Sequence, residues 1–481
     1  MDSLFIIISL VIVILTTIFI LSNLLSKKTI LLPGKTGLPL IGESIDYFNK
    51  LRTGINEKFV MERKLKYASD VFKTSILGEN MAFLTGPEGN KFLFSNENKL
   101  VQVWWPSSVD SIIKKSHNKS AQAESAKVRV LLPPFLRAHA IKHYVSTMDS
   151  ELRQHVADFW VGRDEVEVCP LVRKYTFALA VRLFLSVRDP GELEALARPF
   201  EEAAGGIIAI PINFPGTRFN RGIKASQRIR KVIGGIIEQR RKDLSEGKAT
   251  PSQDLLSHMI VEVDRRNAEN PDIAPATDSD ISSDILGLLI GGYDTINTTI
   301  VFVMMTLVEY PDVYDQVLKE QREIAASKAP GELLNWDDLG KMKYSWNVAC
   351  EVLRLRPPTV GAFRVAKTDF NYGGYTIPKG WKLHYIPHFT QKNPDYFPNP
   401  EKFDPSRFAG DGPAPYTFVP FGGGPRMCPG NEYARAEILV FMHNIILRYN
   451  WEKLIPNEKV VIDPLPRPSQ GLPIRLIPHK A

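Results

Sequence analysis

The sequence predicts one mainly helical domain with a small β region, set behind an N-terminal transmembrane helix. Three observations predict it: an apolar run over residues 4–25, helical apolar periodicity through most of the remaining chain, and only a few short alternating stretches. With 481 residues, 44% of them hydrophobic, the chain can bury a large core without disulfide or metal staples. Division by a usual domain size suggests about three domains, yet no linker-like composition separates them. The expected organisation is a membrane anchor at 4–25, a basic, proline-rich hinge at 26–42 and one domain at 43–481.

The run 4–25 is interrupted only by Ser, Thr and one Asn, and about twenty such residues cross a bilayer. Asp2 is the only charge before it, whereas Lys27 and Lys28 follow at once, so the positive-inside rule places the following domain in the cytosol. A cleaved signal peptide fits less well, because the run is long and lacks a basic leader and a small-residue cleavage site. In Leu32-Pro33-Gly34-Lys35-Thr36-Gly37-Leu38-Pro39, proline lacks an amide donor and stops helix. Residues 81–84 and 370–377 alternate as short strands, the latter turning at Gly373-Gly374. Helical patterns cover 127–132, 173–185, 228–244, 280–307, 314–326, 344–355 and 431–449, with a surface loop at 267–280. No repeat or low-complexity tract argues for a solenoid or a disordered tail.

A net charge of +7 and a pI near 9.0 suit an anionic membrane surface or an acidic protein partner. No nucleic-acid motif accompanies them, and no nucleic-acid partner is expected. Cys169, Cys350 and Cys428 include no CxxC pair, which argues against a disulfide framework or zinc site. Cys169 and Cys350 read as buried hydrophobes.

Cys428 differs. It lies in Phe421-Gly422-Gly423-Gly424-Pro425-Arg426-Met427-Cys428-Pro429-Gly430, immediately before a helix. A cysteine at a helix N-terminus has its thiolate favoured by the dipole and free amides. Glycines before it permit a tight turn and close backbone approach to a planar group. The segment resembles the haem-binding loop of the cytochrome P-450 superfamily, Phe-x-x-Gly-x-Arg-x-Cys-x-Gly. The resemblance implies a cytochrome P-450 fold, haem b with Cys428 as axial thiolate to the iron, Arg426 facing a haem propionate, Phe421 shielding the sulfur, and Gly430 completing the motif.

Glu351-Val352-Leu353-Arg354 places opposite charges three residues apart on one helical face, by itself an ordinary pair. It is similar to the family's Glu-x-x-Arg, and Phe403-Asp404-Pro405-Ser406-Arg407-Phe408 is similar to the segment that adds a second arginine. The resemblance implies a buried lock of Glu351, Arg354 and Arg407. Gly291-Gly292-Tyr293-Asp294-Thr295 resembles the oxygen-activation motif. Paired glycines weaken a helix by about 1 kcal/mol each, so room for oxygen must offset them. In that reading the Thr295 hydroxyl bonds oxygen or an ordered water, and Asp294 relays protons from solvent. Ile296 departs from the usual Thr or Ser. Arg364 and Arg129 fit further haem carboxylate contacts, although Ser125 stands where many relatives carry a tryptophan four residues before the latter arginine.

Lys91-Phe92-Leu93-Phe94-Ser95-Asn96-Glu97-Asn98-Lys99-Leu100, Leu333-Leu334-Asn335-Trp336-Asp337-Asp338-Leu339 and Gly412-Pro413-Ala414-Pro415-Tyr416-Thr417-Phe418-Val419-Pro420 resemble the plant triterpenoid-oxidising cytochromes, typified by beta-amyrin 28-oxidase. The resemblance implies monooxygenation of a pentacyclic triterpenoid or derived acid, with dioxygen and electrons from NADPH through a partner reductase. It also implies a single-pass location in the endoplasmic reticulum membrane, in contact with lipid. Expected pocket residues are Trp104, Trp105, the apolar stretch 206–214, Leu288, Tyr293 and 360–363, with Val360 and Phe363 foremost. Thr359-Val360-Gly361-Ala362-Phe363 departs from the Gly-Gly-Phe of the 28-oxidases, and Tyr293 replaces a usual histidine. Alternatives are a steroid or diterpenoid monooxygenase, or a haem lyase or isomerase, against which Asp294-Thr295 argues.

Overall fold

Helices predominate, and their order follows the apolar periodicity of the chain. The computed structural model describes residues 32–39, 41–53, 56–113, 131–207, 209–269, 275–463 and 465–479. The predicted anchor 4–25, the first part of the hinge and Arg129 lie outside them. The helices that build the site are α1 (Gly86–Ser95), α2 (Ser107–Ile113), α3 (Val168–Leu185), α4 (Pro190–Ile207), α5 (Arg218–Ser245), α6 (Asp278–Glu309), α7 (Pro311–Ala326), α8 (Lys343–Leu355) and α9 (Asn431–Ile446).

Helix α6 is the central element, packed against α3, α5, α8 and α9. A capping box fixes its start: Thr277 Oγ1 accepts from Asp280 N at 3.3 Å, and Asp280 Oδ2 accepts from Thr277 N at 2.8 Å. It is apolar and long enough to cross a membrane, but 72% of its most apolar window is buried inside the fold, which makes it a core helix. Helix α9 is buried along nearly its whole length but ends at Ile446, not at 449. Tyr449 and Trp451 instead alternate burial in a strand, as aromatic residues on a half-buried sheet do.

The helix expected over 228–244 starts ten residues earlier. Thr217 caps α5 by accepting from Asn220 N at 3.2 Å. Gly222 then lies against Gly206 of α4, where a Cβ on either residue would collide with the other backbone. Beyond α4, Pro211 and Pro215 prevent helix, and Ile210, Ile212 and Phe214 are 71%, 58% and 67% exposed. These three residues of the apolar stretch therefore project outward to solvent.

Strands β1 (Val71–Ile76), β2 (Glu79–Leu84), β3 (Val101–Val103), β4 (Glu165–Glu167), β5 (Ala362–Ala366), β6 (Phe370–Tyr372), β7 (Tyr375–Ile377), β8 (Lys382–Tyr385), β9 (Tyr449–Lys453), β10 (Val460–Ile462), β11 (Pro466–Pro468) and β12 (Pro473–Pro478) form small sheets. The largest has the order β1-β2-β8-β5-β3. Its β3/β5 register sets Val103 opposite Arg364, which matters for the site. The predicted turn at Gly373-Gly374 closes the β6/β7 hairpin, both glycines at positive φ, as a two-residue loop between twisted strands favours.

Candidate active site

The cysteine loop is shaped by hydrogen bonds that only a glycine-rich chain can make here. Gly422 N donates to Val419 O at 3.0 Å, Met427 N to Gly424 O at 3.0 Å, and Cys428 N to Phe421 O at 2.8 Å. Gly424 has φ +63, and a Cβ there or at Gly423 would collide with Phe94 of α1. The loop thus rests directly on α1. Phe421 is half-buried against the main core, Cys428 is half-buried, and Gly430 opens α9 two residues later. A thiolate there meets the positive end of a sixteen-residue helix. Cys169 and Cys350 are buried, and burial pushes the Cys350 thiol up to about 12, so neither competes as a thiolate.

Arg364 on β5 and Arg426 in the loop come together on one carboxylate that sequence reasoning did not single out. Arg364 Nε donates to Glu97 Oε2, and Arg426 Nε lies 3.5 Å from Glu97 Oε1. Val103 N donates to the same Oε1 at 3.2 Å. All three side chains are buried. Burial pulls the Arg426 guanidinium below its usual range, a shift that Glu97 opposes and Arg364 reinforces.

The expected lock forms as a contact network. Arg354 donates to Glu351 through Nε at 2.6 Å and Nη2 at 2.8 Å, a bidentate pair with both side chains fully buried. Asp404 N donates to Glu351 Oε1 at 2.9 Å, and Arg407 Nε lies 3.4 Å from that oxygen. Arg354 Nη1 and Nη2 also donate to Gln391 O at 2.9 Å and Lys402 O at 3.3 Å. The network joins α8 to the segments that lead into the cysteine loop.

On α6, Gly291 and Gly292 face open space, since a Cβ at either meets nothing within 4 Å. Thr295 Oγ1 donates to Gly291 O at 3.0 Å, which leaves its lone pairs to accept from a water or hydroxyl in that space. Leu288, seven residues earlier and half-buried, shares this face. Asp294 turns inward and pairs with Arg173 of α3 at 3.3 Å; Arg173 also reaches the more exposed Glu201 of α4 at 3.4 Å. Burial lowers the Arg173 pKa while Asp294 raises it, and the net shift is upward. Neither Arg173 nor Glu201 carries a sequence pattern that marks it.

Tyr293 requires a correction. Two helical residues separate it from Thr295, a rotation of about 200°, so it lies on the opposite face. It is 2% exposed and packs edge-on against Phe177 at 5.2 Å and Phe200 at 6.4 Å. Trp104 packs edge-on against Phe363, which stacks on His384 at 4.2 Å, and Trp105 is 40% exposed. Val360 lines a cavity of about 320 Å³ with Phe302, Thr306, Leu355, Val460 and Ile462. Phe302 and Thr306 lie seven and eleven residues after Thr295, on the same α6 face.

A half-buried thiol at a helix start, two buried guanidiniums and open space over Gly291 and Gly292 make a donor set that fits a planar, thiolate-bound dicarboxylate cofactor. The family model for cytochrome P450 matches residues 32–477. The chain belongs to the cytochrome P450 family. This P450 is 55% identical over 448 residues to beta-amyrin 28-monooxygenase of Vitis vinifera, covering 93% of this chain and 92% of that protein. It is 54% identical over 467 residues to beta-amyrin 28-monooxygenase CYP716A378 of Saponaria officinalis, with coverage of 97% and 95%. Identity to cytochrome P450 716A1 of Arabidopsis thaliana is 50% over 451 residues, with coverage of 93% and 92%. Among solved structures, retinoic acid bound cyanobacterial CYP120A1 superposes with a TM-score of 0.81 at 30% identity, covering 94% of this chain and all of that one.

As a P450 the protein is a haem-thiolate monooxygenase that takes NADPH-derived electrons from a reductase partner and acts on a hydrophobic substrate. The likeness to the triterpenoid-oxidising plant cytochromes read from the sequence is borne out by these identities.

Proposed function

We propose that this P450 hydroxylates, or oxidises in successive steps, a pentacyclic triterpenoid of the beta-amyrin type or an acid derived from one. The observation that carries the substrate class is the 55% identity to a beta-amyrin 28-monooxygenase across nearly the whole length of both chains. In this reading haem supplies the chemistry that activates dioxygen and inserts one oxygen atom into a carbon–hydrogen bond.

The chain's own residues do the rest. Cys428 would hold the haem iron through its thiolate, favoured by the start of α9, and Phe421 would keep water from the sulfur. Arg364 and Arg426, with Arg129 on sequence grounds, hold the cofactor carboxylates through paired N–H donors. Glu351, Arg354 and Arg407 fix the approach to the loop, so that Cys428 is positioned before the cofactor arrives. Thr295 would accept a hydrogen bond from a water or hydroxyl in the space beside Gly291, because its own proton is committed to the Gly291 carbonyl. Asp294, paired with Arg173 and through it with the more exposed Glu201, would pass protons from solvent toward that point. Leu288 and Val360 contribute apolar pocket surface, while Trp104, Trp105 and Phe363 form the pocket's sheet-side margin. Segment 4–25 anchors the cytosolic domain, 43–481, to the endoplasmic reticulum membrane, where an apolar substrate partitions and the NADPH-cytochrome reductase docks.

Co-expression in yeast with a plant reductase and a beta-amyrin-producing cyclase tests this function. A rigid fused-ring substrate held in one pose presents one or two carbon–hydrogen bonds, so a single regiochemistry is expected, starting with an alcohol. Attack on a methyl should continue through the aldehyde to the acid. Oxygen-18 gas should label the product. No oxidised product from beta-amyrin, alpha-amyrin, lupeol or their 28-acids, despite assembled haem protein, would refute the substrate class.

A further inference from the structure

Glu97 sits where a carboxylate looks counterproductive. It is buried beside two of the three arginines assigned to the cofactor carboxylates, where its charge opposes theirs. With Glu97 ionised, the cluster of Arg364, Arg426 and Glu97 carries one net positive charge against two negative ones. A residue that only opposed the cofactor would have no reason to be held so closely. Glu97 takes Val103 N at 3.2 Å, takes the Nε of Arg364, and lies 3.5 Å from the Nε of Arg426. Glu97 therefore engages both guanidiniums on their Nε edge, and Arg364 Nη1 is fixed in turn by donating to Phe363 O at 2.9 Å. The β3/β5 register supports the arrangement by setting Val103 opposite Arg364, so the backbone amide that holds Glu97 and the arginine it holds belong to paired strands.

We propose that Glu97 is a positioning residue for cofactor retention: it cross-links Arg364 on the sheet to Arg426 in the cysteine loop and presents both to the haem carboxylates. This rests on the reading that these two arginines hold the propionates. An unanchored arginine loses rotamer freedom on gripping a carboxylate, whereas a pair already fixed has that cost met on folding. The same carboxylate ties the sheet to the loop that bears Cys428, so sulfur and propionate contacts share one frame.

The test is haem loss from the detergent-solubilised holoenzyme to excess apomyoglobin, comparing the parent with Glu97→Gln. The variant keeps the volume and one acceptor but removes the charge. We expect loss at least tenfold faster, with the thiolate-type band of the reduced carbon monoxide complex retained, and a reduction potential moved positive by removal of a buried negative charge. Reconstitution with haem dimethyl ester, which lacks the carboxylate charges, separates positioning from general support. With the ester, parent and variant should release the cofactor at rates within about twofold. If Glu97→Gln does not assemble, Glu97→Asp carries the same comparison, since it keeps the charge and shortens the reach. Unchanged or slower loss of native haem would overturn the proposal, as would equal acceleration with native haem and ester. If the parent itself lacked the thiolate-type band, the underlying haem-site reading would fail instead.

Discussion

Removing the carboxylate of Glu351 should destabilise the fold and empty the cofactor site together. The fully buried side chain accepts from Arg354 at 2.6 and 2.8 Å and from Asp404 N at 2.9 Å, and it faces Arg407 at 3.4 Å. In Glu351→Ala the fully buried Arg354 guanidinium keeps its bonds to two carbonyls but loses its counter-charge. Breaking a buried pair from one side costs about 3 to 5 kcal/mol. Unfolding entropy of about 2.1 cal/mol/K per residue amounts to roughly 1 kcal/mol/K for a chain of 481 residues. The melting temperature should therefore fall by about 3 to 5 °C. The local effect should be larger, because Asp404 and Arg407 lead into the cysteine loop, and the fraction of protein showing the thiolate-type carbon monoxide band should drop sharply. Replacing both Glu351 and Arg354 by Met should recover part of the melting loss, since the fully buried Arg354 charge is removed together with its partner, but not the band. Glu351→Ala melting within 1 °C of the parent with a full band would refute the reasoning.

Thr295→Ala should keep substrate binding but uncouple turnover, with several-fold less product per NADPH and more peroxide, read by product and peroxide assays. Arg173→Gln removes the partner 3.3 Å from Asp294 and should slow turnover with an increased solvent deuterium isotope effect and an unchanged substrate-binding spectrum; an unaltered isotope effect would remove Arg173 from the proton path. Truncation through Lys28 should release most of the protein from membranes washed with carbonate and high salt, and full retention would call for a second integral segment.

Much of this was legible in the sequence where local periodicity decides structure. Helix α6 runs two residues beyond the expected span at each end, because its capping residues and its apolar period agree. Glu351 and Arg354 were readable as a pair because three helical residues bring side chains onto one face. Glu97 and Arg173 were not, because their partners lie far along the chain and only the fold brings them near. Tyr293 misleads for a geometric reason: adjacency to Asp294 and Thr295 in sequence means divergence around a helix. The outward course of Ile210, Ile212 and Phe214 was signalled by Pro211 and Pro215, whereas hydrophobicity alone suggested burial. Tyr449 shows how an apolar run that continues past a helix end conceals a change from helical to alternating period.

The central claim is that Cys428 is the thiolate on which this monooxygenase depends, and the reduced carbon monoxide spectrum tests it most directly. The parent protein should give the red-shifted Soret band of a thiolate-ligated haem. Cys428→Ser should lose that band and all substrate oxidation, while far-ultraviolet circular dichroism stays close to the parent's. A Cys428→Ser protein that retained the band and turned over substrate at the parent rate would contradict the account.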